Sequence, residues 1–132
     1  MGDAPELLVD ADLPRDLTAA GLARARLDVL GATVDRAQLD ALRIVVTELV
    51  NNAVVHGEGR IALQVTIEDG VVRGQVLDDG TGFAPQLGEE PPREKTREVG
   101  GWGLPIVDAL AARWGVFEGT THVWFELAAT GT

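Results

Sequence analysis

The stretch ELVNNAVVHGEGRIALQVTIEDG, residues 48–70, changes its period partway along. Before Gly57 it continues a helical stripe formed by Leu39, Leu42, Val46, Leu49 and Ala53. From Ile61 onward, Ile61, Leu63, Val65 and Ile67 alternate with Ala62, Gln64 and Thr66. A helix with one buried stripe therefore ends at Gly57 and Gly59 and is followed by a half-buried strand. The helix has a clear beginning in TVDRAQL, where Asp35 can accept from a free backbone N–H and Gln38 follows three residues later. Val34 and Leu39 are spaced to staple across that start. Ile44, Val45 and Val55 lie off the stripe, which predicts a helix covered over much of its circumference.

Further along, Glu68-Asp69-Gly70 is a turn signal, and VVRGQVL returns with Val72 and Val76 on one face, so the two strands read as a hairpin. Asp78 falls on the same alternating face as Val72, Gly74 and Val76. Residues 79–100 are rich in glycine, proline and charge, too poor in apolar residues to pack as core, and are expected to form a loop or lid. A third helix is predicted from about Leu104, with Pro105 in its first turn, Leu104, Val107, Leu110, Ala111 and Trp114 inward, and an end at Gly115. Strands GVFE and HVWFEL follow, the latter with Val123, Phe125 and Leu127 on one face. On the N-terminal side, ELLVDADLPRDL has a short apolar run and then Pro14, placed in the first turn of a helix whose buried positions are Leu17, Ala20, Ala23, Leu27 and Leu30. This order predicts a single α+β domain over residues 1–132, a two-layer sandwich with a mainly antiparallel mixed sheet and helices on one face.

The bulk composition narrows the functions. The chain has 132 residues, 45% of them hydrophobic, enough for one real core. Eleven basic residues against 21 acidic ones leave a formal charge of -10, which repels nucleic acid and anionic lipid. Without cysteine there are no disulfides, thiolate metal sites or cysteine nucleophiles. The first twenty residues carry Asp3, Glu6, Asp10, Asp12 and Asp16 and no long apolar run, so neither a signal peptide nor a membrane span is expected, and a cytoplasmic location is. The EF-hand pattern fails at Pro14 in DADLPRDL, and the histidines, His56 and His122, lack zinc spacing.

Three motifs carry chemistry. Glu48 and Asn52 stand four apart, on adjacent turns flanking the apolar stripe. An amide oxygen suits Mg2+ that keeps waters and substrate phosphates, and a carboxylate one turn earlier can orient a nucleophile. The plainer alternative is a solvated Glu48 and an Asn52 bonded to backbone. In DDGTG, residues 78–82, Asp78 leaves a strand on its core-facing side, where a carboxylate needs donors; a bound adenine amino group would serve. An ordinary strand-exit turn is the alternative there. In GGWGLPIV, residues 100–107, glycines lead into a helix N-terminus suited to phosphate, or simply form a hinge. Neither a dinucleotide fingerprint nor a P-loop is present, because Ile106 occupies the place of the third glycine and no Gly-Lys-Ser/Thr occurs. The order and context of the three together form a kit for Mg-ATP.

These residues resemble the Bergerat-fold ATPases, the superfamily of gyrase, histidine kinases, the large heat-shock chaperone and mismatch-repair ATPases. ELVNNAVVHG resembles its N box, VLDDGTGF its first glycine box and GGWGLPIV its second, within a likeness covering roughly residues 12–128. The resemblance implies Asn52 as the Mg2+ ligand, Glu48 as the residue activating the attacking group, and Asp78 as acceptor of the adenine amine. It further implies Gly80 and Gly82 beneath the nucleotide, Gly101, Gly103 and Leu104 at the phosphates, and, more weakly, hydroxyls of Thr120 or Thr121 there. Arg93, Lys95 and Arg97 become candidate γ-phosphate contacts. His56 is read as closing its helix end, near the negative pole, and Asn51 as a supporting or surface residue.

The ending NAVVHG and the tail DALAARWGV...THVWFEL look most like the anti-sigma-factor serine kinases. Such proteins bind a sigma factor and phosphorylate a serine on a STAS-domain anti-anti-sigma protein. The resemblance thus implies ATP and Mg2+ as cofactors and those two proteins as partners, and admits a homodimer. Two readings stay open beside it: a nucleotide-sensing binding module without catalysis, and the catalytic lobe of a histidine kinase system.

Overall fold

The computed structural model describes residues 7–79, 104–116 and 123–128. Strand β1 (Leu7–Leu13) is followed by helix α1 (Ala19–Leu27), a 3-10 helix (Asp28–Ala32) and the long helix α2 (Arg36–His56). Strands β2 (Ile61–Glu68) and β3 (Val71–Leu77), the short helix α3 (Leu104–Leu110), β4 (Arg113–Val116) and β5 (Val123–Leu127) complete it. The strands lie in the order β1-β2-β3-β5-β4, and all four pairings among the described residues are antiparallel.

The α+β sandwich follows from the alternation. Val9, Ala11 and Leu13 of β1, Ile61, Leu63 and Val65 of β2, Val72 and Val76 of β3, and Val123, Phe125 and Leu127 of β5 are all buried on one face. Leu42, Val45, Val46, Leu49 and Val50 of α2 are buried in the same core. The opposite face carries polar and partly exposed residues such as Gln64, Thr66, Gln75 and Glu126. The β2–β3 connection is a two-residue turn in which Asp69 (φ 55°) and Gly70 (φ 80°) both take left-handed backbone, the combination that matches the twist of a tight hairpin.

Helix α2 begins as expected. Asp35 accepts from the Gln38 backbone N–H at 2.8 Å, and both Val34 and Leu39 are buried. The Gln38 side chain, also buried, donates its amide to the carbonyls of Gly70 (3.0 Å) and Ala128 (3.1 Å). It thereby ties the start of the helix to the hairpin turn and to the end of β5. Within the helix the predicted stripe is buried and Val45 joins it, but Ile44 and Val55 are exposed, so one side of α2 is open rather than covered.

Several expectations are corrected. The run before Pro14 is a strand, β1, held to β2 by a register in which Leu13 faces Ile61. Pro14 lies outside the first helix, which starts at Ala19 after a turn where Asp16 accepts from the Thr18 N–H at 2.8 Å. The Thr18 hydroxyl donates to the same carboxylate oxygen, and these two hydrogen bonds, side chain and backbone, hold the Asp16 carboxyl below its ordinary pKa. Leu17 is consequently 93% exposed, not core. The first helix also ends at Leu27, with the 3-10 turn carrying the chain on and burying Leu30. The third helix stops at Leu110, which is partly exposed; Trp114 is buried, but from β4, two residues earlier than the expected strand. The expected lid at 79–100 lies, beyond Asp79, outside the described residues.

Candidate functional site

The site is assembled where the C-terminal end of α2 meets the exit of β3. Glu48 and Asn52 project from the open side of α2, both half-buried, while Asn51 and His56 are exposed. One turn beyond Asn52 the helix ends at Gly57, whose N–H donates to the Ala53 carbonyl at 3.0 Å. Asp78 follows β3 directly and is only 6% exposed, in line with its place on the core-facing side of the strand. Its carboxylate packs against Gly57: a Cβ at that position would stand 2.7 Å from Asp78 Cγ.

Asp79 makes the second seam of this junction. Its N–H donates to the Glu58 carbonyl at 2.7 Å, and its Oδ2 accepts from the Arg60 N–H at 2.8 Å. Gly59, at φ 67°, presents its bare Cα to the same side chain; a Cβ there would stand 2.6 Å from Asp79 Cβ. The helix-end loop and the strand exit are thus locked together by two carboxylates on two glycines.

Arg15, between β1 and α1, holds this loop from the other side. Its Nη1 donates to the carbonyls of Ala53 and of Val54 (3.0 Å), and its Nε to that of Gly59 (3.0 Å). The Ala53 carbonyl also accepts from the Gly57 N–H, and both it and the Val54 carbonyl sit at the negative pole of the helix, so a guanidinium is a fitting partner.

The structure brings Asp78 to the end of the helix that carries Glu48 and Asn52. Leu104 opens α3, which packs against α2. Gly80, Gly82, Gly101, Gly103, Thr120 and Thr121, together with Arg93, Lys95 and Arg97, lie outside the described residues. No cluster of three or more His, Cys, Asp or Glu side chains able to hold a metal occurs among the described residues. Asn52, half-buried on α2, offers an amide oxygen of the kind that suits a cation such as Mg2+, which keeps most of its waters and shares substrate oxygens with one or two protein donors. No described helix is long and apolar enough to cross a membrane.

Sequence reasoning missed Arg15, Gly57, Gly59 and Asp79 as parts of this junction. The glycines were legible only as a helix stop. Asp79 had a signal in the doubled carboxylate of DDG, whereas a single arginine after a strand had none.

The family model described as histidine kinase-like ATPase domain matches residues 13–126. A sensor histidine kinase component from Mycobacterium tuberculosis is 37% identical over 90 residues, 63% of this chain and 54% of that protein. An anti-sigma F factor from Geobacillus sp. (strain WCH70) is 34% identical over 104 residues, 70% of each chain. The anti-sigma F factor of Bacillus subtilis is 33% identical over 87 residues, 60% of this chain and 58% of that one. The chain spans about half the length of the mycobacterial kinase component, and 24% of a second, probable sensor histidine kinase from the same species.

Proposed function

We propose, from the premise that the chain belongs to the histidine kinase-like ATPase domain family, that it binds ATP with Mg2+ and acts as an anti-sigma regulatory factor. In this reading it transfers the γ-phosphoryl group to a serine of a STAS-domain anti-anti-sigma protein and sequesters a sigma factor. The observation that carries the nucleotide part is the seating of Asp78, a buried carboxylate at the strand exit, against the end of the helix bearing Glu48 and Asn52. Likeness to several anti-sigma F factors supports the choice of partner.

Each residue then has a task that its position permits. Asp78 accepts from the adenine amine, a contact to a charged acceptor in a water-poor place. Asn52 offers its amide oxygen toward the cation, and Mg2+ supplies charge neutralisation at the phosphates. Glu48, half-exposed on the same side of α2, takes the proton of the attacking serine hydroxyl. A serine O–P bond forms, the bond from the γ-phosphorus to the bridging oxygen breaks, and ADP leaves. Positioning of this kind is most of what phosphoryl transfer asks of a protein. The glycines 80, 82, 101 and 103, Leu104 and Thr121 complete the proposed nucleotide contacts. Cytoplasmic action on protein partners, as a single domain of 1–132 with residues 79–100 as a lid, belongs to the same proposal.

The identity shared with the mycobacterial histidine kinases favours a second reading, in which this chain is the ATP-binding lobe of a system that phosphorylates histidine. One experiment separates them. Purified chain with radiolabelled Mg-ATP is incubated with its STAS partner, and the phosphorylated species is tested for acid stability. Acid-stable phosphoserine on the partner is the expected result. Acid-labile label on a histidine protein would favour the second reading, and nucleotide-dependent capture of a partner with no phosphate transferred would overturn both in favour of a sensing module.

A further inference from the structure

Arg15 does more than its place in the sequence suggests. It stands 38 residues from Ala53 and 44 from Gly59, yet its one guanidinium binds the last turn of α2 and the loop beyond it. Gly57 lies between those two anchor points, and Gly57 is the surface on which the Asp78 carboxylate rests. The same short loop is held on its other flank by the Asp79 contacts to Glu58 and Arg60. A planar fork with fixed donor directions specifies orientation, whereas a lysine ammonium at the same spot would be a point charge. Arg15 Nη2 is buried without a partner among the described residues. Burying an unpaired donor is costly, so the choice of arginine here is not explained by capping alone.

We propose that Arg15 is a positioning residue for adenine recognition: by fixing the end of α2 and residues 57–59, it sets the wall behind Asp78 and thereby the direction in which that carboxylate meets the base. The proposal rests on the reading of Asp78 as acceptor of the adenine amine. Arg15 itself touches neither nucleotide nor acceptor in this scheme. Its effect travels through Gly57, and the property it controls is selectivity for the amino group rather than phosphate binding.

The test compares ADP with purine riboside 5′-diphosphate, which lacks the 6-amino group, by titration calorimetry on the whole chain. Wild type, Asp78→Asn, Arg15→Lys and Arg15→Met are each measured well below their own melting temperatures. Wild type should prefer ADP by about tenfold or more, as expected for a buried hydrogen bond to a charged acceptor. In Arg15→Met that ratio should fall toward one, with Arg15→Lys between. A stable Arg15→Met that keeps the wild-type ratio, whatever its melting temperature, would overturn the proposal and leave Arg15 a plain helix cap. Absence of any preference in wild type would overturn the reading of Asp78 itself, and the proposal with it. If Arg15→Met does not fold, Arg15→Lys and Arg15→Gln carry the same ratio, and its retention in both overturns the proposal equally.

Discussion

The carboxylate of Asp78 rests on the bare Cα of Gly57, so closely that one added methyl group has no room. A Cβ there would stand 2.7 Å from Asp78 Cγ and 2.8 Å from the Ala53 carbonyl oxygen. The backbone at Gly57 (φ -89°, ψ -167°) is open to any residue, so the requirement for glycine is one of space alone. Gly57→Ala should therefore push the strand exit away from the helix end. The expected outcome is a protein destabilised by about 1–3 kcal/mol, as for other overpacked sites, that also loses most of its affinity for ADP. Chemical denaturation and calorimetry on one preparation measure both effects. Unchanged ADP affinity would separate this junction from the nucleotide site.

Glu48 and Asn52 occupy adjacent turns but are assigned to different steps, which makes them separable. Glu48→Gln keeps shape and removes the base, so nucleotide affinity should stay within about twofold while transfer to the acceptor falls by about two orders of magnitude or more. Asn52→Ala should instead weaken Mg-ATP binding, with a much smaller effect on ADP measured in chelator. Parallel titrations and single-turnover assays decide this, and equal loss of binding in both variants would contradict the division of labour.

What could be read from the chain was whatever repeats within one element. The helix of residues 36–56 and the hairpin of 61–77 declare themselves by period, cap and turn, and Glu48, Asn52 and Asp78 stand out as polar residues inside those patterns. Strand β1 has the same alternation, with Val9, Ala11 and Leu13 inward, but its intervening residues include Asp10 and Asp12 and Pro14 follows at once, so it showed only as a short apolar run ahead of a helix start. Trp114 fits helical spacing from Val107 equally well and is claimed by β4 because its pairing with β5 seats it opposite Phe125. The junction of Arg15, Gly57, Gly59 and Asp79 was illegible for a different reason. Its members are ordinary singly, and only the tertiary fold brings the strand exit and the β1 end to the same loop.

Gly74 sets a limit on the core in the same way that Gly57 sets one at the site. It faces Phe125 across the β3–β5 register, and Trp114 lies on Phe125's other side in β4. The Phe125 ring covers Gly74: a Cβ there would meet its Cε1 at 2.7 Å. Because Phe125 is wholly buried, it has no solvent to retreat into. Gly74→Ala should cost about 1–3 kcal/mol and lower the melting temperature by several degrees, despite alanine being the better strand residue in an open position. A neutral or stabilising result would mean that the ring can turn aside within the core.

On the open face of the sheet, Glu126 sits in a row of three cross-strand neighbours. Arg73 faces it from β3, with Nε 2.9 Å from Oε2, and Arg113 faces it from β4, with Nη1 3.6 Å from Oε1. Its side chain is 15% exposed while the two arginines are half-exposed or more, so the carboxylate is the fixed member and the cations close over it. Arg113 is also stacked on Trp124, 5.6 Å from the ring centroid, which holds that cation in place whether or not Glu126 is charged. Glu126→Gln leaves the shape intact but removes the charge shared by the two guanidinium groups; Arg73 keeps Glu68, 3.7 Å from its Nη1, and Arg113 keeps the Trp124 ring. The expected cost is about 1 kcal/mol, discounted for the solvent around both arginines, and it should shrink in high salt. Denaturation curves at low and high ionic strength measure this. A loss that is independent of salt would assign Glu126 to hydrogen bonding and packing across the three strands rather than to charge.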